Sequence, residues 1–254
     1  MARRSRQFNN PNKQSQSGQA RLYGRHAVLA ALANPARRLR KLTATAEELA
    51  QLTIPPDLQV QRADAQDIAR LLPQGVPHQG LALDTEPLPD LFLDEVLSDP
   101  RPDAPLVILD QVTDPHNVGA IIRSAAAFGA RALITQSRHS PPESGALARA
   151  ASGALEILPW VRVVNLARAL EEVAAAGYWR IGLAGDAEMA LADAFTPAPQ
   201  AIVLGAEGDG LRHNSRAHCD VLARLPIQRQ VESLNVSNAA AIALYAATSR
   251  APTA

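Results

Sequence analysis

The chain is short of several things, and each shortage closes off a class of protein. Among 254 residues there is one cysteine, Cys219, so neither an intrachain disulfide nor a cysteine-built metal site is available. The six histidines show no ligand spacing, His213 and His218 standing five apart, and no metal is expected. No apolar run approaches the length of a membrane span. The opening Met1-Ala2-Arg3-Arg4-Ser5-Arg6-Gln7 is basic but has no apolar core behind it, so no secretory signal and a cytoplasmic protein are expected. No internal repeat is visible. The glycines at 205, 208 and 210 match neither the dinucleotide fingerprint nor a Walker loop, which argues against a nicotinamide or nucleoside-triphosphate site. Acid is also missing where it would be noticed. The first 46 residues hold ten Lys or Arg and no Asp or Glu, while the rest holds 15 basic and 25 acidic residues, for zero net charge. That asymmetry points to a nucleic-acid or membrane partner at the N-terminal end, a solvated tail being the plainer alternative.

What is present is the apolar fraction of a packed globular protein, 47%, in a length comfortable for two domains. Residues 1–20, rich in Asn, Gln, Ser and Arg, are expected to be a disordered basic tail. Residues 21–84 read as a small α/β module of alternating short helices and strands. Residues 85–104 read as an exposed, fairly stiff linker, because prolines and carboxylates crowd residues 84–105. Residues 105–254 alternate apolar strands with helices, the pattern of a parallel sheet covered on both faces. The helix expected over 118–128 carries an apolar stripe at Val118, Ile121, Ile122 and Ala125. The last helix, 236–249, has a stripe at Val236, Ala239, Ala240, Ala243, Leu244 and Ala247, with Ile242 and Tyr245 outside it. Two apolar faces need two covers, from a subunit interface or from a central position in a monomer.

Ligands of open α/β sheets bind beyond the carboxyl ends of strands. Two segments are expected there: Gly205 to Gly210 after the strand Ala201–Leu204, and Asn117 after Leu106–Leu109. Taken singly, each residue has a plain reading. Asn117, and Asn235 or Ser237, suit helix caps, Glu207 a solvated loop, and Arg123 a surface position.

Taken together they resemble a known family. Asn117-x-Gly119-x-x-x-Arg123, then Leu204-Gly205-x-Glu207-Gly208-x-Gly210-Leu211, then Pro226 with Ser233-Leu234-Asn235-Val236-Ser237, are similar to the three motifs of the SpoU (TrmH) family. Its members are S-adenosylmethionine-dependent RNA ribose 2′-O-methyltransferases of the knotted SPOUT class. The segment from Leu22-Tyr23-Gly24-Arg25-His26-Ala27-Val28 through His78-Gln79-Gly80 resembles the substrate-binding domain of the family's 23S rRNA guanosine 2′-O-methyltransferase branch, itself similar to the L30e-like RNA-binding fold.

The resemblance implies a trefoil knot near the C-terminus and a homodimer packed through it. It implies S-adenosylmethionine held by Gly205, Leu225 and Leu234, with Ile227 shaping the adenine slot. Arg123, supplied by the partner subunit, would face the 2′-hydroxyl, with Asn117, Glu207, Ser233 and Asn235 ordering it and the ribose. A guanidinium stays protonated in proteins, so Arg123 is read as a positioning and anion-stabilising donor, with an RNA phosphate or water taking the proton. Arg25, Arg37, Arg38, Arg40 and Lys41 are candidates for RNA phosphate contact. Two departures stand out: Arg229 where the family often has glycine, and Leu225-Pro226-Ile227 where it often has Ile-Pro-Met. The expected substrate is a guanosine of 23S rRNA; a tRNA or other rRNA ribose, or a non-catalytic RNA-binding role, are the alternatives.

Overall fold

The computed structural model describes residues 19–228, 230 and 232–249; most of the expected basic tail, and Arg229, lie outside them. Two sheets organise the chain. The first is built from β1 (Ala20–Tyr23), β2 (Leu39–Ala44), β3 (Gln59–Arg62) and β4 (Leu81–Thr85), with α1 (Arg25–Ala33), α2 (Ala46–Leu49) and α3 (Ala65–Arg70) between them. Its order is β1-β4-β2-β3; β4 runs antiparallel to β1 and β2, and β3 parallel to β2. This corrects the expected tail at one end, because Ala20 is already a buried strand residue paired with Thr85.

A short helix, α4 (Leu93–Leu97), precedes the second sheet. The segment around it is not the freely exposed joint expected from its prolines. Leu91 bridges Val161, and Leu93 and Val96 are buried in a core of the second unit. Two apolar residues one turn apart suffice to seat the helix on a neighbour.

The second sheet comprises β5 (Leu106–Asp110), β6 (Ala132–Gln136), β7 (Trp160–Val163), β8 (Trp179–Leu183), β9 (Met189–Ala190), β10 (Gln200–Gly205) and β11 (Val221–Arg224). Its order is β7-β6-β5-β10-β8-β11-β9, and every pairing is parallel. The helices are α5 (Pro115–Ala127), α6 (Gly145–Ala151), α7 (Leu166–Ala175), α8 (His213–Ala217) and α9 (Val236–Thr248). Along β5, Val107 and Leu109 enter the core shared with α5 and α9, and Leu106 and Ile108 the core shared with α7. Strand residues alternate faces, so a continuous apolar run needs cover on both. β7 is an edge strand.

The two units are joined tightly. α6 lies against β1, and Gly145 makes this possible: a Cβ there would sit 2.3 Å from a ring carbon of Tyr23 and 2.4 Å from the Arg21 carbonyl oxygen. Beside this contact, Arg37 is wholly buried between Glu143 and Glu156 of the second unit.

Candidate active site

β5 ends at Asp110, and the chain turns into α5 through Asp114 and Pro115. The Asp114 carboxylate accepts hydrogen bonds from the backbone N–H of His116 (3.2 Å) and of Asn117 (3.3 Å), and Pro115 opens the helix. Asp114, not Asn117, is therefore the cap. Asn117 stands in the first turn with its side chain free for other work. It donates through Nδ2 to Glu207 Oε1 at 3.1 Å and accepts from Asn235 Nδ2 at 2.9 Å.

Glu207 lies on the turn that follows β10. The turn is tight: Gly210 N–H donates to the Ala206 carbonyl at 3.0 Å, and Gly208 and Gly210 have φ of 86° and 64°, open to glycine at little cost. A Cβ on Gly205 would fall 2.0 Å from the Gly210 carbonyl carbon, so no larger residue fits there. The turn carries Glu207 to the N-terminus of α9. Its Oε1 receives Asn117 Nδ2, Asn235 Nδ2 at 2.6 Å and the Val236 N–H at 3.3 Å. Oε2 has no hydrogen bond among the described residues. Asn235 caps α9 with Oδ1, accepting from the N–H groups of Ser237 (2.8 Å) and Asn238 (3.4 Å), and uses Nδ2 on Glu207 and Asn117. The cap reading of Asn235 is thus correct and incomplete: one amide satisfies the helix and bridges two distant loops.

Beside this network is a cavity of about 280 Å³, near the lower end of small-molecule pockets, which run from roughly 300 Å³. All four expected cofactor residues, Gly205, Leu225, Ile227 and Leu234, line it, with Glu207 and Ser233. Leu183, the last residue of β8, and Ala184 and Gly185 beyond it also line the cavity, as does Glu232. Sequence reasoning missed these. The signal was Gly185 two residues after a strand, which marks nothing until β8 is known to neighbour β10. Apolar walls with backbone groups and carboxylates at the margin suit a flat heteroaromatic ligand with a polar, cationic tail.

Arg123 is exposed on α5, and no hydrogen bond or ion pair holds it among the described residues. Its neighbours Ile121, Ile122 and Ala125 are buried as the stripe required. The basic residues of the first unit divide sharply. Arg38 and Arg40 are exposed, sharing Glu86 at 3.5 and 2.5 Å, and Lys41 is half-buried. Arg25 pairs with Glu48 and donates to Gln51 Oε1 at 3.0 Å. Arg37 is a correction. Its side chain has 0% exposure, with Nε on Glu156 Oε2 at 3.1 Å and Nη1 on Glu143, so it holds the two units together and has no surface to offer RNA. Burying a guanidinium without carboxylate partners is prohibitive; with two it becomes a fastening.

A second cluster occupies the same carboxyl rim. Asp110 is fully buried and is the register partner of Gly205. Its carboxylate takes the Arg212 backbone N–H at 3.1 Å and Arg212 Nε at 2.7 Å, while Arg212 Nη2 reaches Gln136 Oε1 at 3.1 Å. The turn bearing Glu207 is thereby fastened at its far end. Cys219 is half-buried, its thiol pushed up to about 12 by burial.

Comparison with known proteins agrees with this geometry. A family model described as the SpoU rRNA Methylase family matches residues 104–245, and one described as RNA 2′-O ribose methyltransferase substrate binding matches residues 21–91. The chain is 37% identical over 237 residues to a 23S rRNA (guanosine-2′-O-)-methyltransferase of Pseudomonas syringae, covering 89% of this chain and 94% of that one. It is 44% identical over 171 residues to a protein of the same description from Ralstonia nicotianae, covering 67% and 69%. Among solved structures, the SpoU methyltransferase AviRb of Streptomyces viridochromogenes in complex with AdoMet superimposes with a TM-score of 0.78 at 27% identity, covering 96% of this chain and 94% of that one.

Proposed function

Because the chain belongs to the SpoU rRNA methylase family, we propose that it transfers a methyl group from S-adenosylmethionine to the 2′-hydroxyl of a guanosine ribose in 23S rRNA. The observation that carries this reading is the meeting of Asn117, Glu207 and Asn235, from three separate loops, at the edge of the cavity lined by Gly205, Leu225, Ile227 and Leu234. The relatives' described activity supplies the substrate.

The cavity fits the cofactor by its chemistry. Ile227, Leu225 and Leu234 offer an apolar slot for adenine, and Glu232 a carboxylate for hydroxyl or ammonium groups. S-adenosylmethionine supplies an electrophilic methyl group on a sulfonium, already a good leaving group. The chain's share of the work is orientation of the ribose and handling of the hydroxyl proton.

Arg123 is the donor for the oxygen that loses its proton, and it comes from a second copy of the chain. Two features support that assignment: no partner engages it within its own protomer among the described residues, and Glu207 Oε2 is left open to receive a guanidinium. The homodimer packs through α9, whose Ile242 and Tyr245 are 45% and 62% exposed beside the buried face. Asn117, Ser233 and Asn235 orient the ribose. The C-terminal end of the chain carries the expected trefoil knot. Arg38, Arg40 and Lys41 contact RNA phosphate, and modification of rRNA gives the enzyme a cytoplasmic site of action. No helix among the described residues is long and apolar enough to cross a membrane.

The test is transfer of a tritiated methyl group to total RNA, followed by digestion and mapping. Label recovered as 2′-O-methylguanosine in 23S rRNA is the expected result. Label confined to tRNA removes the substrate assignment, and absence of transfer by cofactor-bound protein removes the activity.

A further inference from the structure

Among the described residues, Arg212 is an exposed cation firmly fixed on the rim of the sheet, and nothing in the chemistry above uses it. Its side chain is 40% exposed although its carboxylate partner, Asp110, is 0% exposed. Nε and the main-chain N–H are held by Asp110, and Nη2 by Asp110 at 2.6 Å and by Gln136. Nη1 makes no hydrogen bond among the described residues. A carboxylate buried in full to hold an arginine that stays half in water is a costly way to stabilise a fold, since buried pairs seldom repay their desolvation. It is an effective way to fix a guanidinium, because the rotamer freedom that a ligand contact would otherwise remove is already gone.

The surroundings suit an anion. Gln136 is followed by Ser137, Arg138 and His139, all exposed, and neither Arg138 nor His139 has an ion-pair partner among the described residues. Ser137 is tied to the Val163 carbonyl at 3.1 Å, so this corner is ordered along the ends of β6 and β7. The corner adjoins the reaction site. Glu207 and Arg212 are five residues apart, at most about 18 Å of chain, and the turn between them doubles back at Ala206–Gly210, which shortens the span.

We propose that Arg212, locked by Asp110 and Gln136 and flanked by Arg138, binds a backbone phosphate of the substrate RNA close to the acceptor nucleotide. The proposal rests on the RNA methyltransferase reading above. A guanidinium with one fixed free nitrogen, Nη1, matches a phosphate oxygen, and such a contact positions RNA without reading its sequence.

The experiment compares wild type, Arg212→Lys and the double variant Asp110→Asn with Arg212→Gln, in which no buried charge is left unpaired. Binding to a 23S rRNA transcript is titrated between about 50 and 200 mM salt. Thermal midpoint and S-adenosylmethionine affinity are measured alongside. For the double variant we expect unchanged cofactor affinity, RNA affinity about tenfold weaker, and a salt slope reduced by about one. Arg212→Lys keeps the slope and loses several-fold in affinity with its fork. A double variant with wild-type RNA affinity and slope overturns the proposal. So does loss of cofactor and RNA binding together with a lowered midpoint in both variants, which makes Arg212 a structural staple. A wild-type enzyme that binds RNA but transfers no methyl group fails the functional reading instead, while the slope comparison still decides this one.

Discussion

At the scale of the residue, two arginines have opposite fates, and only Arg37 departs from what its sequence neighbourhood suggests. Arg123 sits on an apolar helix and is free; Arg37 sits in a basic run and is sealed. Arg123→Ala should lower methyl transfer at least 100-fold with cofactor affinity intact, as removal of an aligned donor to developing charge does. Undiminished single-turnover transfer would end the assignment. Arg37→Ala should destabilise the fold by about 3–5 kcal/mol in urea titration, because Glu143 and Glu156 would be left buried and unpaired. A change below 1 kcal/mol, of the order of a surface pair, would mean that water reaches them. Cys219 allows a pH test. Its thiol is pushed up to about 12 by burial, so little thiolate exists at pH 8. Alkylation by iodoacetamide should be far slower in the folded protein than in urea, and equal rates would contradict the burial.

At the scale of the element, α5 acts as the central support. Its first turn carries Asn117, its buried stripe faces the sheet, and its side at Gly119 receives α6. A Cβ on Gly119 would lie 2.4 Å from the Leu147 carbonyl oxygen and 2.7 Å from the Ala150 Cβ. Gly119→Ala should therefore cost about 1–3 kcal/mol, the usual effect of overpacking, although alanine favours helices. Since α6 also lies against β1, the displacement should loosen the contact between the two units, detectable as faster hydrogen exchange in β1. A stabilised variant would show that α6 yields freely. The glycine in the Asn-x-Gly motif is thus explained by packing and the asparagine by the site.

At the scale of the whole molecule, no Lys or Arg among the described residues lines the cavity of one protomer, and the exposed face of α9 gives the reason a second copy is expected. Phe128 meets Tyr245 edge-on at 6.1 Å between ring centroids, which links the end of α5 to that face. Replacing Ile242 and Tyr245 together by aspartate should yield a monomer in light scattering that still binds S-adenosylmethionine and has lost RNA methylation. An active monomer, or an unaltered dimer, would contradict the composite site. The buried Arg37 cluster and the α6 contact make the two units a single framework, so RNA held on the first unit is presented to the second at a fixed distance.

Sequence alone determined the local features. The helical stripe of α5, the both-face burial of β5 and β10 and the glycine-rich turn after β10 follow from periodicity and backbone preference, which act within a few residues. Motif resemblance named the cavity residues Gly205, Leu225, Ile227 and Leu234, which all line the cavity. Tertiary structure decided whatever depends on residues far apart. Asn117 meets Glu207 across 90 residues and Asn235 across 118, Asp114 takes the cap that Asn117 was expected to hold, Asp110 grips Arg212, and Arg37 disappears between carboxylates 106 and 119 residues away. Hydrogen-bond partners are chosen by whatever packing brings within about 3 Å, and a charged side chain carries no local mark of whether it will face water or another charge.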